Sequence, residues 1–367
     1  VVAVSGVHLF VPMLHRHDAV GEHTLVLRDR LASAGVTSRI YSELPDPVTA
    51  DETRNYLDYE TECEPGDVLV YQFATESVMA RWLAARPEPV VINYHSITPA
   101  TFFGPWNNGI TRLQVGAQLE LDHLAPRAAL GIAVSRFDER ELHEAGCTDT
   151  TVIPVANIAV PPAEPDPDLL ERLSTRVPGR GHRWLSVGRL APNKAHHETI
   201  AALFVARSST DPDAHLTLVG APSEPAYAAA LRSYAASLGL ADSVEFVTGI
   251  TDAALAAYYR AADVLVMLSD HEGFGVPLVE AMGQGLPIVA FDAGAVSEVL
   301  DGAGVLLEHK HPRQVAGAVS RLMGHPDQRD RLVVAGRARF GAMGLERAGD
   351  RLVEAVQGVS GRVAAVR

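Results

Sequence analysis

Short apolar runs alternate with stretches of mixed apolar and charged residues along most of the chain. Val1–Val4, Thr37–Tyr41, Val68–Gln72, Val90–Tyr94, Leu130–Val134 and Thr151–Ile153 have the length and β-branched content of buried strands. After the first of them, residues 21–34 set Leu25, Leu27 and Leu31 among charged side chains and stop at Gly35, the pattern of a helix with one apolar stripe and a glycine end. The run Pro161-Pro162-Ala163-Glu164-Pro165-Asp166-Pro167 then interrupts helix and interior strand alike. Beyond it the alternation restarts, with Trp184–Val187, His215–Val219, Val244–Val247, Val264–Leu268, Pro287–Phe291 and Val305–Leu307 as strands. Helices such as Ala226–Leu238 and Val276–Gly283 separate them. Leu352, Val353, Val356, Val359 and Val363 recur at helical spacing near the end.

This pattern predicts an α/β chain of two Rossmann-like, doubly wound domains, residues 1–160 and 183–344, joined by a linker over 161–182. A C-terminal helix over 345–367 is expected to pack back across the domains. Two such domains facing one another would leave a cleft at the carboxyl ends of both sheets, where open α/β sheets hold ligands.

The length of 367 residues suits two domains, at roughly 100 to 200 residues each. With 47% hydrophobic and 21% charged residues the chain has a core to bury. A net charge of −14 repels a polyanion and argues against a nucleic-acid partner. Cys63 and Cys147 lack any metal-ligand spacing, which excludes a disulfide framework and a zinc site and fits a reducing compartment. The apolar opening is too short for a signal core or a membrane span, so a cytoplasmic protein is expected. Arg16, Arg28, Arg30 and Arg39 form a loose basic patch among acids, leaving room for transient contact with the inner face of a membrane.

The most informative run is His271-Glu272-Gly273-Phe274-Gly275-Val276-Pro277-Leu278-Val279-Glu280, which follows a strand and opens a helix. Gly273 and Gly275 allow close backbone approach, and Pro277 in the first turn leaves the amides of Gly275, Val276 and Leu278 for an anion. Carboxylates beside an anion site make sense when the ligand also presents hydroxyls, as a nucleotide sugar does. Glu272 is placed to accept from sugar hydroxyls and Glu280 from ribose. The second group, Gly188-Arg189-Leu190-Ala191-Pro192-Asn193-Lys194, leaves the end of the strand 184–187. Its two cations can reach one point above the sheet and neutralise a diphosphate.

Together these residues, with Ala281-Met282 and Gly285-Leu286-Pro287, resemble glycosyltransferase family 4 of the GT-B fold. The likeness continues through Val219-Gly220, Phe246-Val247-Thr248-Gly249 and Tyr259-Arg260-Ala261-Ala262-Asp263, and covers residues 183–308. In the first half, Asp18-Ala19-Val20-Gly21, Asn93-Tyr94-His95-Ser96 and Ala133-Val134-Ser135-Arg136-Phe137 are similar to family elements. Two places depart from the pattern: His17 stands where many relatives carry glycine in the first loop, and Ala221-Pro222 replaces a glycine pair.

The resemblance implies a metal-independent, retaining hexosyl transfer from a nucleotide-diphosphate sugar, with no cofactor, to a carbohydrate, lipid-linked or small-molecule acceptor on the first domain. Cell-surface polysaccharide, glycolipid or natural-product glycoside synthesis would be the setting. Arg189, Lys194 and the amides of 273–276 would stabilise the leaving diphosphate, Glu272 would orient the sugar, and His95 would contact it. Gly21, Gly188, Gly220, Thr248, Ile250 and the Gly273–Val276 turn, with Leu278 and Glu280, would line the donor site. Asp18 would contact the acceptor or cap the first helix. Phe102 and Trp106 would stack on an acceptor sugar or close the core. A nucleotide-sugar hydrolase or epimerase, and a binding protein without turnover, are the rival readings. A dehydrogenase is disfavoured, since no G-x-G-x-x-G opens the first helix and Gly302-Ala303-Gly304 precedes a late strand.

Overall fold

The computed structural model describes all residues except 1–4, 17, 18, 45, 157, 159–161, 176–180 and 367, and the side chains of Ala19 and of residues 360–366 are likewise left aside. The chain divides into two compact units. The first comprises Val1–Thr101, Asn108–Asn157 and Gly344–Arg367, and the second Phe102–Asn107 and Ile158–Met343.

The first unit is built on strands β1 (Val7–Val11), β2 (Ile40–Ser42), β3 (Thr53–Asn55), β4 (Val68–Phe73), β5 (Val90–Tyr94), β6 (Leu130–Ala133) and β7 (Thr150–Val152). They form one parallel sheet in the order β3-β2-β1-β4-β5-β6-β7. The expected strand Val1–Val4 lies outside the described residues, and the first strand described is Val7–Val11. It is hard to read in sequence because His8 interrupts the apolar run, yet that imidazole is buried 3.5 Å from Asp67. β3 carries no apolar residue and exists by pairing Ile40 with Thr53 and Ser42 with Asn55.

The helix Ala19–Ser33 covers one face of this sheet, and Gly35 at φ +74° ends it as the glycine predicted. Helix Ala348–Val366 belongs to the same unit. Its Leu352, Val353, Val356 and Val359 join Leu9, Leu27, Leu31 and Val70 in one buried cluster.

The second unit has strands β8 (Arg183–Val187), β9 (His215–Val219), β10 (Val244–Val247), β11 (Val264–Met267), β12 (Ile288–Phe291) and β13 (Val305–Leu307), all parallel, in the order β10-β9-β8-β11-β12-β13. The stretch expected as a linker carries a helix, Pro167–Ser174, because Asp166 caps it (Leu169 N to Oδ1, 2.9 Å) and Pro167 fits the first turn. Both sheets reverse their winding at one place, between β1 and β4 and between β8 and β11. These are the switch points where such sheets bind ligands. Among the described residues, no helix is long and apolar enough to cross a membrane.

Candidate functional site

The second unit's switch point gathers the two expected motifs. Gly188 follows β8 and its amide donates to Val219 O (2.9 Å), while Gly220 follows the neighbouring β9. A Cβ on Gly220 would stand 1.9 Å from the Gly188 carbonyl, so this pair of strand ends closes only with glycine there. Arg189 follows, exposed, its guanidinium without hydrogen bond or ion pair among the described residues. The chain then turns through Pro192 and Asn193 to Lys194, and Ala195 adopts a left-handed conformation at φ +49°.

Lys194 Nζ lies 2.7 Å from Glu272 Oε1, the side chains 17% and 6% exposed. The Glu272 loop is held from three sides. Asp270 N donates to Asn193 O (2.8 Å), Asn193 Nδ2 to His271 O (3.4 Å), and Ala295 N to Glu272 O (2.9 Å). Lys310, from beyond β13, adds an ion pair to Asp270 at 2.6 Å. Neither Asn193 nor Lys310 was singled out from sequence.

Gly275, left-handed at φ +84°, caps the helix Val276–Gln284. The amides of Gly273, Phe274, Gly275 and Val276 have no acceptor among the described residues and stand at the positive end of the helix dipole. Leu278 does not join them: its amide donates to Gly275 O (2.9 Å) and its side chain is buried, so the first turn itself uses the donor expected to be free. Phe274 is likewise buried and offers only its backbone.

Residues 171–339 match the family model described as glycosyl transferases group 1. Over 194 residues the chain is 34% identical to the D-inositol 3-phosphate glycosyltransferase of Thermomonospora curvata, covering 51% of this chain and 45% of that protein. Over 184 residues it is 35% identical to the GDP-mannose-dependent alpha-(1-6)-phosphatidylinositol monomannoside mannosyltransferase of Mycolicibacterium smegmatis, covering 47% of each. The chain thus spans less than half the length of these relatives. The crystal structure of Anabaena HepE in complex with UDP and glucose has a TM-score of 0.77 at 18% identity, covering 96% of this chain and 100% of that one. The fold is GT-B.

Within the matched stretch, Glu280 sits one turn into the helix and accepts from the Tyr259 hydroxyl (2.7 Å). Burial pushes its carboxyl up to about 7, with Asp252 adding to the rise and the Tyr259 hydrogen bond opposing it. Thr248 and Ile250 follow β10, the edge strand two places from β8, and Thr248 is exposed. Trp106, expected either to stack on an acceptor sugar or to close the core, packs edge-on against Tyr227 with ring centroids 5.0 Å apart. Phe102 is half-buried in the preceding turn.

In the first unit, His95 follows β5. Its Nε2 is 2.7 Å from Gln72 Oε1, which also accepts from Asn93 Nδ2 (2.9 Å). Burial, and then His23 at a ring distance of 5.1 Å, hold His95 well below the usual imidazole range. It is a neutral hydrogen-bonding group. Ser96 directly after it has φ +63°, as Ala195 follows Lys194, and such strain collects at working sites. Gly21 lies in the first helix where a Cβ would meet the His15 carbonyl at 1.7 Å, which accounts for the glycine by packing. Asp18 lies outside the described residues.

The buried imidazoles make a pH prediction. Burial pulls His23 and His196 down to about 4 and His95 also falls. Their folded forms are neutral while an unfolded histidine titrates near ~6.5, so the stability they contribute is full above that value and lost as pH falls from there through about 4. Glu280, raised to about 7, acts in the opposite sense together with Glu120 and Glu141, also raised by burial, while burial lowers His8, His197 and His271 as well, so three carboxyls stand against six imidazoles. The melting temperature is expected to fall steadily between pH 7 and pH 5 by circular dichroism, and a flat profile would contradict this.

Proposed function

We propose that the protein is a retaining, metal-independent glycosyltransferase of family 4 type that takes its sugar from a nucleotide-diphosphate donor. The observation that carries the reading is the Lys194–Glu272 pair at a sheet switch point, beside four amides without acceptors at a helix N-terminus. As the glycosidic bond breaks, negative charge grows on the diphosphate and positive charge on the sugar. Arg189, with no intramolecular partner among the described residues, and Lys194 are the cations placed to meet the first, with the amides of 273–276.

Lys194 shares itself with Glu272 before donor arrives, so phosphate binding redistributes its hydrogen bonds and leaves Glu272 able to accept from a sugar hydroxyl. Glu280, its carboxyl pushed up by burial, is suited to exchange hydrogen bonds with ribose. His95 contacts the sugar as a neutral donor or acceptor and the first unit holds the acceptor. The relatives' names, with GDP-mannose in one and UDP with glucose bound in another, support a nucleotide-sugar donor without selecting the base.

The test is turnover on a nucleotide-sugar and acceptor panel in excess EDTA, with the product's anomeric centre read by NMR. Undiminished transfer with the donor's anomeric configuration is expected. Transfer that needs added Mg²⁺ or Mn²⁺, inversion, or release of free sugar alone would each overturn the corresponding part.

A further inference from the structure

The face of the first sheet covered by the helix Ala19–Ser33 is apolar along β4 and β5 until their carboxyl ends. Val68, Val70 and Val91 lie in its buried cluster. The next positions on that face are Gln72 and Asn93, paired across the two strands and both fully buried. Two amides stand where the alternation calls for two hydrophobes. His23, on the helix itself, is buried as well.

Their hydrogen bonds converge on His95. Gln72 Oε1 accepts from Asn93 Nδ2 at 2.9 Å and lies 2.7 Å from His95 Nε2. An amide oxygen can only accept, so the His95 proton is on Nε2 and Nδ1 keeps its lone pair. Nδ1 has no partner among the described residues, on a side chain that is half-buried. His23 Nδ1 accepts from Ala156 N (3.4 Å), and its ring meets that of His95 at 81° with centroids 5.1 Å apart. The backbone is tied too, His95 N donating to Phe73 O at 2.9 Å.

This cluster is not what stability alone would select. Gln72 Nε2, Asn93 Oδ1 and His23 Nε2 are buried with no hydrogen-bond partner among the described residues. Unsatisfied buried polar groups are costly, and apolar side chains of similar shape would fill the same face without that cost. Such breaks in a local rule collect where function requires them.

We infer that Gln72 is a positioning residue which, with Asn93 and His23, fixes the His95 ring so that Nδ1 is presented to the substrate as an acceptor for a hydroxyl hydrogen. For the substrate this rests on the proposed function; for the tautomer it rests on the first unit alone. A proton on Nδ1 would turn that acceptor into a donor. Burial keeps the ring neutral, and among the described residues His23 is the one titratable group acting on it.

The tautomer is read by nitrogen-15 NMR of the full chain labelled in histidine, at pH 7 without nucleotide or sugar, the His95 signals being assigned by their loss in His95→Asn. The Nε2–H form is expected in the wild type. Gln72→Met keeps the length and removes the oxygen, so it should leave a mixture of tautomers and lower kcat by about tenfold or more. In Gln72→Glu a carboxyl either protonates the ring or donates its own proton to Nε2, and both put a proton on Nδ1. Transfer by that variant should be weak at pH 7 and rise towards pH 9 as the pair loses its proton, where the wild type is level. Circular dichroism checks that both variants fold. A proton on Nδ1 in the wild type, tautomers unchanged in both variants, or a wild-type rate and pH profile in Gln72→Glu would overturn the inference. Transfer absent from the wild type on every donor and acceptor counts against the proposed function, and the tautomer with its response to Gln72→Met then still decides whether Gln72 sets the ring.

Discussion

Lys194→Ala is expected to lower turnover by about two to three orders of magnitude, the typical cost of removing one preorganised charge-stabilising donor. It should also lower the melting temperature, because Glu272, 6% exposed, loses the cation 2.7 Å away. Stranding a buried carboxylate costs about 3 kcal/mol. The double variant Lys194→Ala, Glu272→Gln removes that stranded charge, so it should regain most of the stability and none of the turnover. Wild-type rates in folded Lys194→Ala would take Lys194 out of the chemistry. Recovery of turnover in the double variant would show that the lysine serves only to neutralise its neighbour.

The second large effect is expected from Gly220→Ala, a change that adds one methyl and touches no charge. Its Cβ would fall 1.9 Å from Gly188 O and 3.2 Å from Arg189 N, so the loop carrying the cations must shift by more than an ångström. Misplacement on that scale costs on the order of a hundredfold in rate. The control is Gly239→Ala, where φ is +72° and nothing lies within 4 Å of the new methyl. That change pays only backbone strain, roughly 1–2 kcal/mol, and should leave kcat/KM intact. Equal kinetic losses in the two variants, or none in Gly220→Ala, would separate the strand-end geometry from function.

Much of this site could be read in sequence because its parts lie close along the chain. Gly188 to Lys194 spans one loop, and Glu272 to Glu280 one loop and one helical turn, so spacing alone places them at strand ends and a helix N-terminus. The partners that hold them come from afar and left no local signal. Lys310 reaches Asp270 across 40 residues, Tyr259 reaches Glu280 across 21, and Asn193 reaches His271 across 78. Sequence leaves the Leu278 amide free, whereas the left-handed Gly275 turns its carbonyl to accept from it within the first turn.

In the fold, periodicity gave most strands to within a residue or two and failed where a strand broke the pattern. β1 holds a buried histidine, and β3 is wholly polar. The proline-rich stretch reads as a linker, yet proline also suits a helix's first turn, and Pro167 opens one behind Asp166.

The measurement closest to the central claim is a thermal-shift panel of UDP, GDP, TDP, ADP and NAD on the wild type and on Arg189→Ala. Arg189 is exposed and unpartnered among the described residues, so its loss should leave the unliganded melting temperature unchanged. A ligand at about 100 times its Kd stabilises by ~2.7 kcal/mol, a shift of several degrees. The account predicts such a shift with at least one nucleoside diphosphate, and its loss in Arg189→Ala. No shift with any nucleoside diphosphate, a shift with NAD alone, or a shift untouched by the arginine would contradict a donor site at the β8–β11 switch point.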